Sequence, residues 1–251
     1  MRSHGPEPAP RADGHRMDTV FSIIIPARND AKALRRTLDH LQRLRGIQAA
    51  EIIVAASGER EETENAVAGR GRLIWPARPT RSALMNAGAA VAAGKVFFFL
   101  HADSLPPLDA MAKIQGALRD PRVVGGAFEH RFEETAWSLR LISWINRRRY
   151  FFTRNYYGDQ GIFVRAEIFR KLGGYRDIFM EDLDFSRRLK KLGRTEVIPQ
   201  PVLTSGRRFL VWGPWRAFSF IVWLLILHSL RFDTQRYAGR WHAWGERSVK
   251  N

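Results

Sequence analysis

Cysteine is absent from this chain. Disulfides, thiolate metal sites and cysteine nucleophiles are therefore excluded, and a reducing compartment, the cytoplasm, is the expectation. No run of about 20 apolar residues suits a membrane crossing; the best stretch lies between Arg216 and Arg231 and holds only 14 residues. The first residues, Met1 to Arg16, are rich in Pro, Gly, Arg and His and lack the apolar core of a secretory signal. Residues 1–17 are read as a disordered tail. Acidic residues are scarce, 25 against 41 Lys and Arg, which leaves a formal charge of +16. Such a surface attracts anions, and composition alone leaves nucleotide diphosphates, anionic lipid headgroups and nucleic acid open. At 251 residues and 45% hydrophobic, the chain can bury a substantial core in one large α/β domain or two small ones.

Short β-branched and aromatic runs alternate with helical patterns. Phe21 to Ile25, Glu51 to Ala55, Leu73 to Trp75 and Val96 to Leu100 read as buried strands. Leu34, Leu38 and Leu41 recur at helical spacing behind Asn29 or Asp30 as cap. An alanine-rich helix is expected from Ser82 to Ala93, stopped by Gly94, and Pro106-Pro107 opens another. In the second half, Val124 to Phe128 and Gly161 to Val164 read as strands, and Trp137 to Arg148 and Glu181 to Leu192 as helices. Alternation of this kind implies a mainly parallel sheet with helices on both faces. Ligands of such sheets bind beyond the carboxyl ends of the strands. Pro26 to Asp30, Ala56 to Glu59 and His101 to Ser104 all fall there.

Four segments carry candidate chemistry. Asp103, behind a buried strand in His101-Ala102-Asp103, offers the hard oxygen ligand that Mg²⁺ or Mn²⁺ takes; the plain alternative is a helix cap. Glu181-Asp182 at a helix start supplies either dipole partners or a general base. Arg81, Asn86 and the small residues between and after them allow close ligand approach, or simple helix packing. Arg207 and Arg208, behind Thr204-Ser205-Gly206, can clamp a diphosphate with bidentate hydrogen bonds, or stand solvated. Arg147-Arg148-Arg149 reads as a solvated helix end or a lipid-headgroup patch. Residues 217–230 form an apolar segment in a region where Trp212, Trp215, Trp223, Trp241 and Trp244 are interleaved with arginines, suited either to a membrane interface or to burial against the sheet.

Taken in order, these segments resemble glycosyltransferase family 2. Phe21-Ser22-Ile23-Ile24-Ile25-Pro26-Ala27-Arg28-Asn29-Asp30 is similar to the family's opening strand and turn. Met85-Asn86-Ala87-Gly88 through Leu100-His101-Ala102-Asp103 is similar to the stretch leading into its Asp-X-Asp motif. Tyr157-Gly158-Asp159-Gln160-Gly161, Leu172-Gly173-Gly174-Tyr175 and Met180-Glu181-Asp182-Leu183-Asp184 resemble its acceptor half. The Leu-His-Ala-Asp, Gly-Asp-Gln and Thr-Ser-X-Arg-Arg combination resembles a bacterial subgroup linked to arsenosugar biosynthesis and to radical-SAM and selenium-domain proteins. The resemblance covers about residues 20 to 210. It departs at Ala56, where the family commonly has an Asp that contacts the nucleobase, and at His101, where many relatives have Asp.

The resemblance implies a GT-A fold, a Rossmann-like α/β sheet, over residues 18–210. Residues 18–105 would form the nucleotide-sugar half and 106–210 the acceptor half, followed by a Trp-rich helical segment at 211–251. It implies an inverting glycosyltransferase that uses a nucleotide-diphosphate sugar, a divalent cation (Mg²⁺ or Mn²⁺) and an acceptor that is a lipid or a small molecule. Asp182 is the expected base, with Glu181 and Asp159 positioning it or the acceptor beside Gly158 and Gln160. Asp103 and His101 are the expected cation ligands. Pro26, Arg28, Asn29, Asp30, Ala56, Ser57, Arg81, Asn86, His101, Ala102, Arg207 and Arg208 line the donor side. The expected location is cytoplasmic, with peripheral contact to an anionic membrane. The alternatives are a catalytically degenerate nucleotide or membrane-surface binding module, a nucleic-acid binder, for which no motif is present, and a nucleotidyltransferase of related fold.

Overall fold

A computed structural model describes residues 20–230 together with Phe232, Thr234 and Tyr237. The expected tail at 1–17, and Trp241 and Trp244, lie outside the described residues.

The chain runs β1 (Phe21–Arg28), α1 (Ala31–Leu41), β2 (Ala50–Ser57), α2 (Arg60–Val67), β3 (Arg72–Ile74), α3 (Arg81–Ala90) and β4 (Val96–Phe99). It continues through β5 (Ser104–Leu105), α4 (Ala110–Ala117), β6 (Val123–Phe132), α5 (Trp137–Thr153) and a 3₁₀ turn at Gly158–Gln160. Then come β7 (Ile162–Arg165), α6 (Ala166–Lys171), α7 (Glu181–Leu189), β8 (Arg194–Thr204), α8 (Arg207–Trp212) and α9 (Pro214–Ser229). One eight-stranded sheet has the order β3-β2-β1-β4-β7-β6-β8-β5. Its first four strands are parallel. β7 then enters antiparallel between β4 and β6, while β8 runs parallel to β6. The fold is the mixed α/β, mostly parallel sheet with helices on both faces that the strand–helix alternation implies.

Two-residue periodicity divides the core. Phe21, Ile23, Ile25 and Ala27 of β1, with Ile52, Val54 and Ala56 of β2, face a layer containing Leu34, Leu38, Ala66 and Ile114. Ile24 and Ile53 face the opposite layer, where Met85, Ala89, Phe169, Phe185 and Leu189 pack. Phe97 and Phe99 go to one face and Phe98 to the other, so the Phe97-Phe98-Phe99 run serves both layers. Burying each such side chain contributes about 1.5–3 kcal/mol.

Several boundaries differ from expectation. α3 ends at Ala90, not Ala93. Gly94 lies beyond that end, and a Cβ there would stand 2.6 Å from the backbone of Phe21 and Ser22, so close packing against β1 fixes this glycine. α4 begins at Ala110, after the Pro106-Pro107 pair and one turn later than expected. α7 stops at Leu189, short of Gly193. β8 carries Pro199 and Pro201, which masked it as a strand; both fall around a register shift against β6, where a missing N–H is tolerated. Arg207 and Arg208 open α8 rather than lying in a loop. α9 packs chiefly on α5 and α8, and its Phe218 joins the cluster that Phe132 of β6 forms with Leu139 and Ile142.

Candidate active site

β1, β2 and β4 end side by side, and the turns that follow them are tied together. Asp30 caps α1 by accepting from Ala33 N–H. Asn29, in the left-handed region at φ 50°, accepts from Glu59 N–H at 3.1 Å. Gly58 faces it so closely that an added Cβ would lie 1.8 Å from Asn29 Oδ1, so no side chain fits there. Pro26 sits within β1 and Arg28 at its exposed end. Ala56 is 1% exposed and belongs to the core. Ser57 is buried, and its Oγ has no hydrogen-bond partner within the described structure. Ala102 accepts from Thr37 Oγ1 through its carbonyl.

Asp103 follows directly. Burial first, and then the neighbouring Asp30 carboxylate, push its pKa up to about 6, while Arg208 and Arg207 pull it back. Arg207 Nη2 donates to Asp30 Oδ2 at 2.7 Å. Burial lowers the Arg208 pKa and Asp103 partly offsets this. Two carboxylates and two guanidiniums, from the ends of β1, the β4–β5 turn and α8, thus share one electrostatic cluster.

A second cluster is built around Arg81 in the first turn of α3. Its Nε donates to Glu181, its Nη2 to Asp182 Oδ2 at 3.1 Å, and its Nη1 contacts His101 Nε2 at 2.8 Å. Burial opposes the charge of Arg81, but Glu181 and Asp182 outweigh it and raise its pKa. Burial, then Arg81, Arg208 and His130, hold the His101 pKa well below the usual imidazole value. A neutral ring that accepts at Nε2 from a guanidinium carries its proton on Nδ1.

Glu181 and Asp182 reach this point because Met180 turns the chain at φ 66° and starts α7. Burial, with Asp182 adding to it, raises the Glu181 pKa, and Arg81 opposes the rise. Asp182 accepts from Gly158 N–H at 2.8 Å through Oδ2 and from its neighbour Leu183 N–H through Oδ1. A Cβ at Gly158 would lie 2.4 Å from His101 Nε2, so a larger residue there must displace the His101 side chain.

Two expected site residues hold the architecture. Asn86 binds the backbone of Tyr175 at both ends of its amide. Gln160 is fully buried and spans Tyr157 N–H and the Phe128 carbonyl. Asp159 remains half-exposed, with its Oδ2 3.6 Å from His130 Nε2. His130 Nε2 lies 2.7 Å from Thr204 Oγ1, while His130 Nδ1 and Asp159 Oδ1 are buried without partners. Reading the sequence missed His130. Its signal is two-residue spacing from Phe128 and Phe132, which places an imidazole on an inward phase of β6.

For a divalent cation, Asp103 and Asp30 offer oxygen donors of the right hardness. Among the described residues no group of three or more His, Asp or Glu side chains is gathered to hold a metal. The remaining ligands of a cation here would come from a diphosphate and water, which suits Mg²⁺ or Mn²⁺. His101 Nε2 is engaged by Arg81.

Residues 22–172 match the family model described as Glycosyl transferase family 2. No curated protein sequence matches the chain. Among solved structures, it is similar to the mannosyltransferase PcManGT from Pyrobaculum calidifontis, solved with GDP-Man and Mn²⁺. The two share 20% identity at a TM-score of 0.60, over 74% of this chain and 56% of that one. It is also similar to residues 1–349 of S. aureus TarS in complex with UDP, at 12% identity and a TM-score of 0.60, over 74% of this chain and 60% of that one. This chain therefore spans a little over half the length of either relative.

Proposed function

Starting from a chain that belongs to glycosyltransferase family 2, we propose that it moves a sugar from a nucleotide-diphosphate donor to an acceptor hydroxyl with inversion. The observation that carries this reading is the meeting of His101, Arg81, Gly158, Glu181 and Asp182 beside the Asp30, Asp103, Arg207 and Arg208 cluster. A carboxylate beside a cationic cluster is what displacement of a diphosphate from an anomeric carbon requires.

In this reading residues 18–105 bind the nucleotide sugar and 106–210 shape the acceptor side. Pro26, Arg28, Asn29, Asp30 and Ser57 line the base and ribose, with the unpartnered Ser57 Oγ making the polar contact that Ala56, buried in the core, cannot. Arg207 and Arg208 lie against the diphosphate. Asp103 would hold a divalent cation, which would supply charge neutralisation to the leaving group. His101 donates from Nδ1–H to a phosphate oxygen. Asp182 takes the acceptor proton, and the acceptor oxygen then attacks the anomeric carbon. The bond from that carbon to the diphosphate oxygen breaks, and its electron pair leaves with the diphosphate. Arg81 and Glu181 orient Asp182, with Gly158, Asp159 and the buried Gln160 setting the acceptor loop. The neighbour structures with GDP-Man and UDP support a nucleotide-sugar donor.

The Leu-His-Ala-Asp and Thr-Ser-X-Arg-Arg pattern supports membership of the arsenosugar-linked bacterial subgroup. The acceptor is a lipid or a small molecule, and the protein works in the cytoplasm with peripheral contact to anionic membrane through residues 217–230.

Calorimetric titration with UDP, GDP, CDP, ADP and dTDP, each with and without Mn²⁺, tests the proposal. Micromolar, Mn²⁺-dependent binding of one diphosphate, lost in Asp103→Ala, is expected. Absence of binding to all five at millimolar concentration overturns it in favour of a degenerate binding module.

A further inference from the structure

Two helices of this fold turn apolar side chains away from the core. On α5, Trp137, Leu141, Trp144 and Phe152 recur at helical spacing and are all exposed, Trp137 by 70% and Phe152 by 88%. On α9, Trp215, Val222 and Ile226 do the same, and Leu230 extends the stripe. α9 buries only Ala217 and Leu224 among its sixteen residues. The rings of Trp137 and Trp215 lie 5.9 Å apart and join the two stripes. Leu210 and Val211 of α8, the helix that packs on α9, are exposed too. Beneath them, Leu139 and Ile142 pack with Phe209 and Phe218, so the helices are anchored to each other from within. Exposed arginines flank the stripes, namely Arg140, Arg147 and Arg148 on α5 and Arg216 on α9. The Arg148 guanidinium lies 5.3 Å from the Trp144 ring.

We propose that the joined outward faces of α5, α8 and α9 are a docking surface for an anionic lipid bilayer. This deepens the peripheral contact proposed above by extending it from α9 to three helices and fixing which side of each enters the interface.

Contiguous apolar surface of this kind marks an interaction site. Trp, Phe and Leu beside arginines suit the boundary between headgroups and acyl chains, where rings and stems enter the apolar zone and cations meet phosphate. α9 is sixteen residues long, about 24 Å at 1.5 Å per residue, short of the roughly 30 Å of a hydrocarbon core. No helix among the described residues is long and apolar enough to cross a membrane, so α9 would lie in the interface plane. Charge decides against a second copy as occupant. Pairing two chains of +16 through this face would set their arginine rims against each other, whereas an anionic surface attracts them.

The face connects to the site through α5. At its C-terminal end, Arg149 lies 4.0 Å from the ring of Tyr157. The next residue, Gly158, donates to Asp182. Arg140, Ser143 and Trp144 also line a groove of about 690 Å³ together with Glu129 and His130. An acceptor held at the bilayer surface would thus lie beside the acceptor loop.

The test is flotation of the full chain with vesicles of phosphatidylcholine alone and with added phosphatidylglycerol. The expected result is strong recovery only with phosphatidylglycerol, weakened by salt. A double variant, Trp215→Ser with Ile226→Ser, should bind about tenfold or more weakly with an unchanged circular dichroism spectrum. Should that variant fail to fold, quenching of wild-type tryptophan emission by brominated phosphatidylglycerol vesicles decides instead, and is expected to be strong. Absence of binding, absence of quenching, or a folded variant that binds like wild type overturns the proposal. A concentration-dependent dimer dissolved by the same variant also overturns it and assigns the face to a second copy. Diphosphate titration without vesicles reports separately on the transferase reading.

Discussion

Arg81 Nη2 lies 3.1 Å from Asp182 Oδ2, although 101 residues separate them in the chain. The same guanidinium reaches Glu181 and His101. One side chain at the start of α3 therefore ties the first half of the sheet to the start of α7, and charge balance within the site depends on it. Two carboxylates in the first turn of one helix repel each other, and a cation between them offsets that cost.

Replacing Arg81 by Ala should lower stability by about 2–3 kcal/mol. That is less than a fully buried pair would lose, because the Arg81 side chain is 35% exposed. The loss should shrink as falling pH protonates Glu181, whose pKa burial holds above the usual carboxylate value, so that it no longer needs a partner. Thermal unfolding of both proteins across pH checks this. A constant difference at every pH would assign the effect to packing alone.

Asp182→Asn preserves an acceptor for the Gly158 N–H but removes the base. Turnover should fall by about 10²–10⁴-fold, while affinity for the diphosphate stays near wild type. Parallel single-turnover kinetics and calorimetry separate the two effects. Retention of more than about a tenth of the rate removes Asp182 from the role.

Asp103 has a folded-state pKa raised to about 6. A raised carboxyl pKa means that the folded chain favours the protonated form. Its stabilising contribution is full below the unfolded value near 4 and is lost as pH rises through about 6. Asp103→Asn should therefore be more stable than wild type by about 2 kcal/mol above about pH 7 in the absence of divalent cations, allowing for partial exposure. The gain should vanish below about pH 4. The same variant should lose Mn²⁺-dependent diphosphate binding. A variant no more stable than wild type at neutral pH would contradict the electrostatic account.

Gly158→Ala inserts a methyl group 2.4 Å from His101 Nε2 and 3.3 Å from Arg81 Nη1. The His101–Arg81 contact must open, or the loop must withdraw its N–H from Asp182. Either way activity should fall by roughly tenfold or more and the melting temperature should fall as well, since the methyl group must displace a partly buried contact. Steady-state rates and a melting curve on one preparation decide this.

How much was legible differs between the halves. The β1, β2 and β4 strands were readable because each is a short, fully buried apolar run bounded by polar turns. β8 was not, because Pro199 and Pro201 look like strand breakers and only pairing beside a register shift makes them acceptable. Helix ends at Ala90 and Leu189 came earlier than Gly94 and Gly193 suggested. Gly94 serves close packing against β1 and Gly193 packs against Val124 and Arg122. Local punctuation cannot distinguish a glycine that ends a helix from one that lets two backbones approach.

At the candidate site, the sequence alone supplied Asp103, Arg81, His101, Glu181, Asp182, Arg207 and Arg208 as residue types in suggestive places. It did not say that Arg81 joins the acids rather than standing free, that Asn86 and Gln160 are spent on backbone, or that His130 approaches Asp159. Those facts depend on contacts between residues far apart in the chain. The outward stripes of α5 and α9 show the same limit. Helical periodicity reveals that apolar residues share a face, but only the packing of Leu139, Ile142 and Phe218 shows which face turns inward. Strand and helix content follows from local periodicity and turn chemistry; charge partners and exposed faces arise only when distant elements meet.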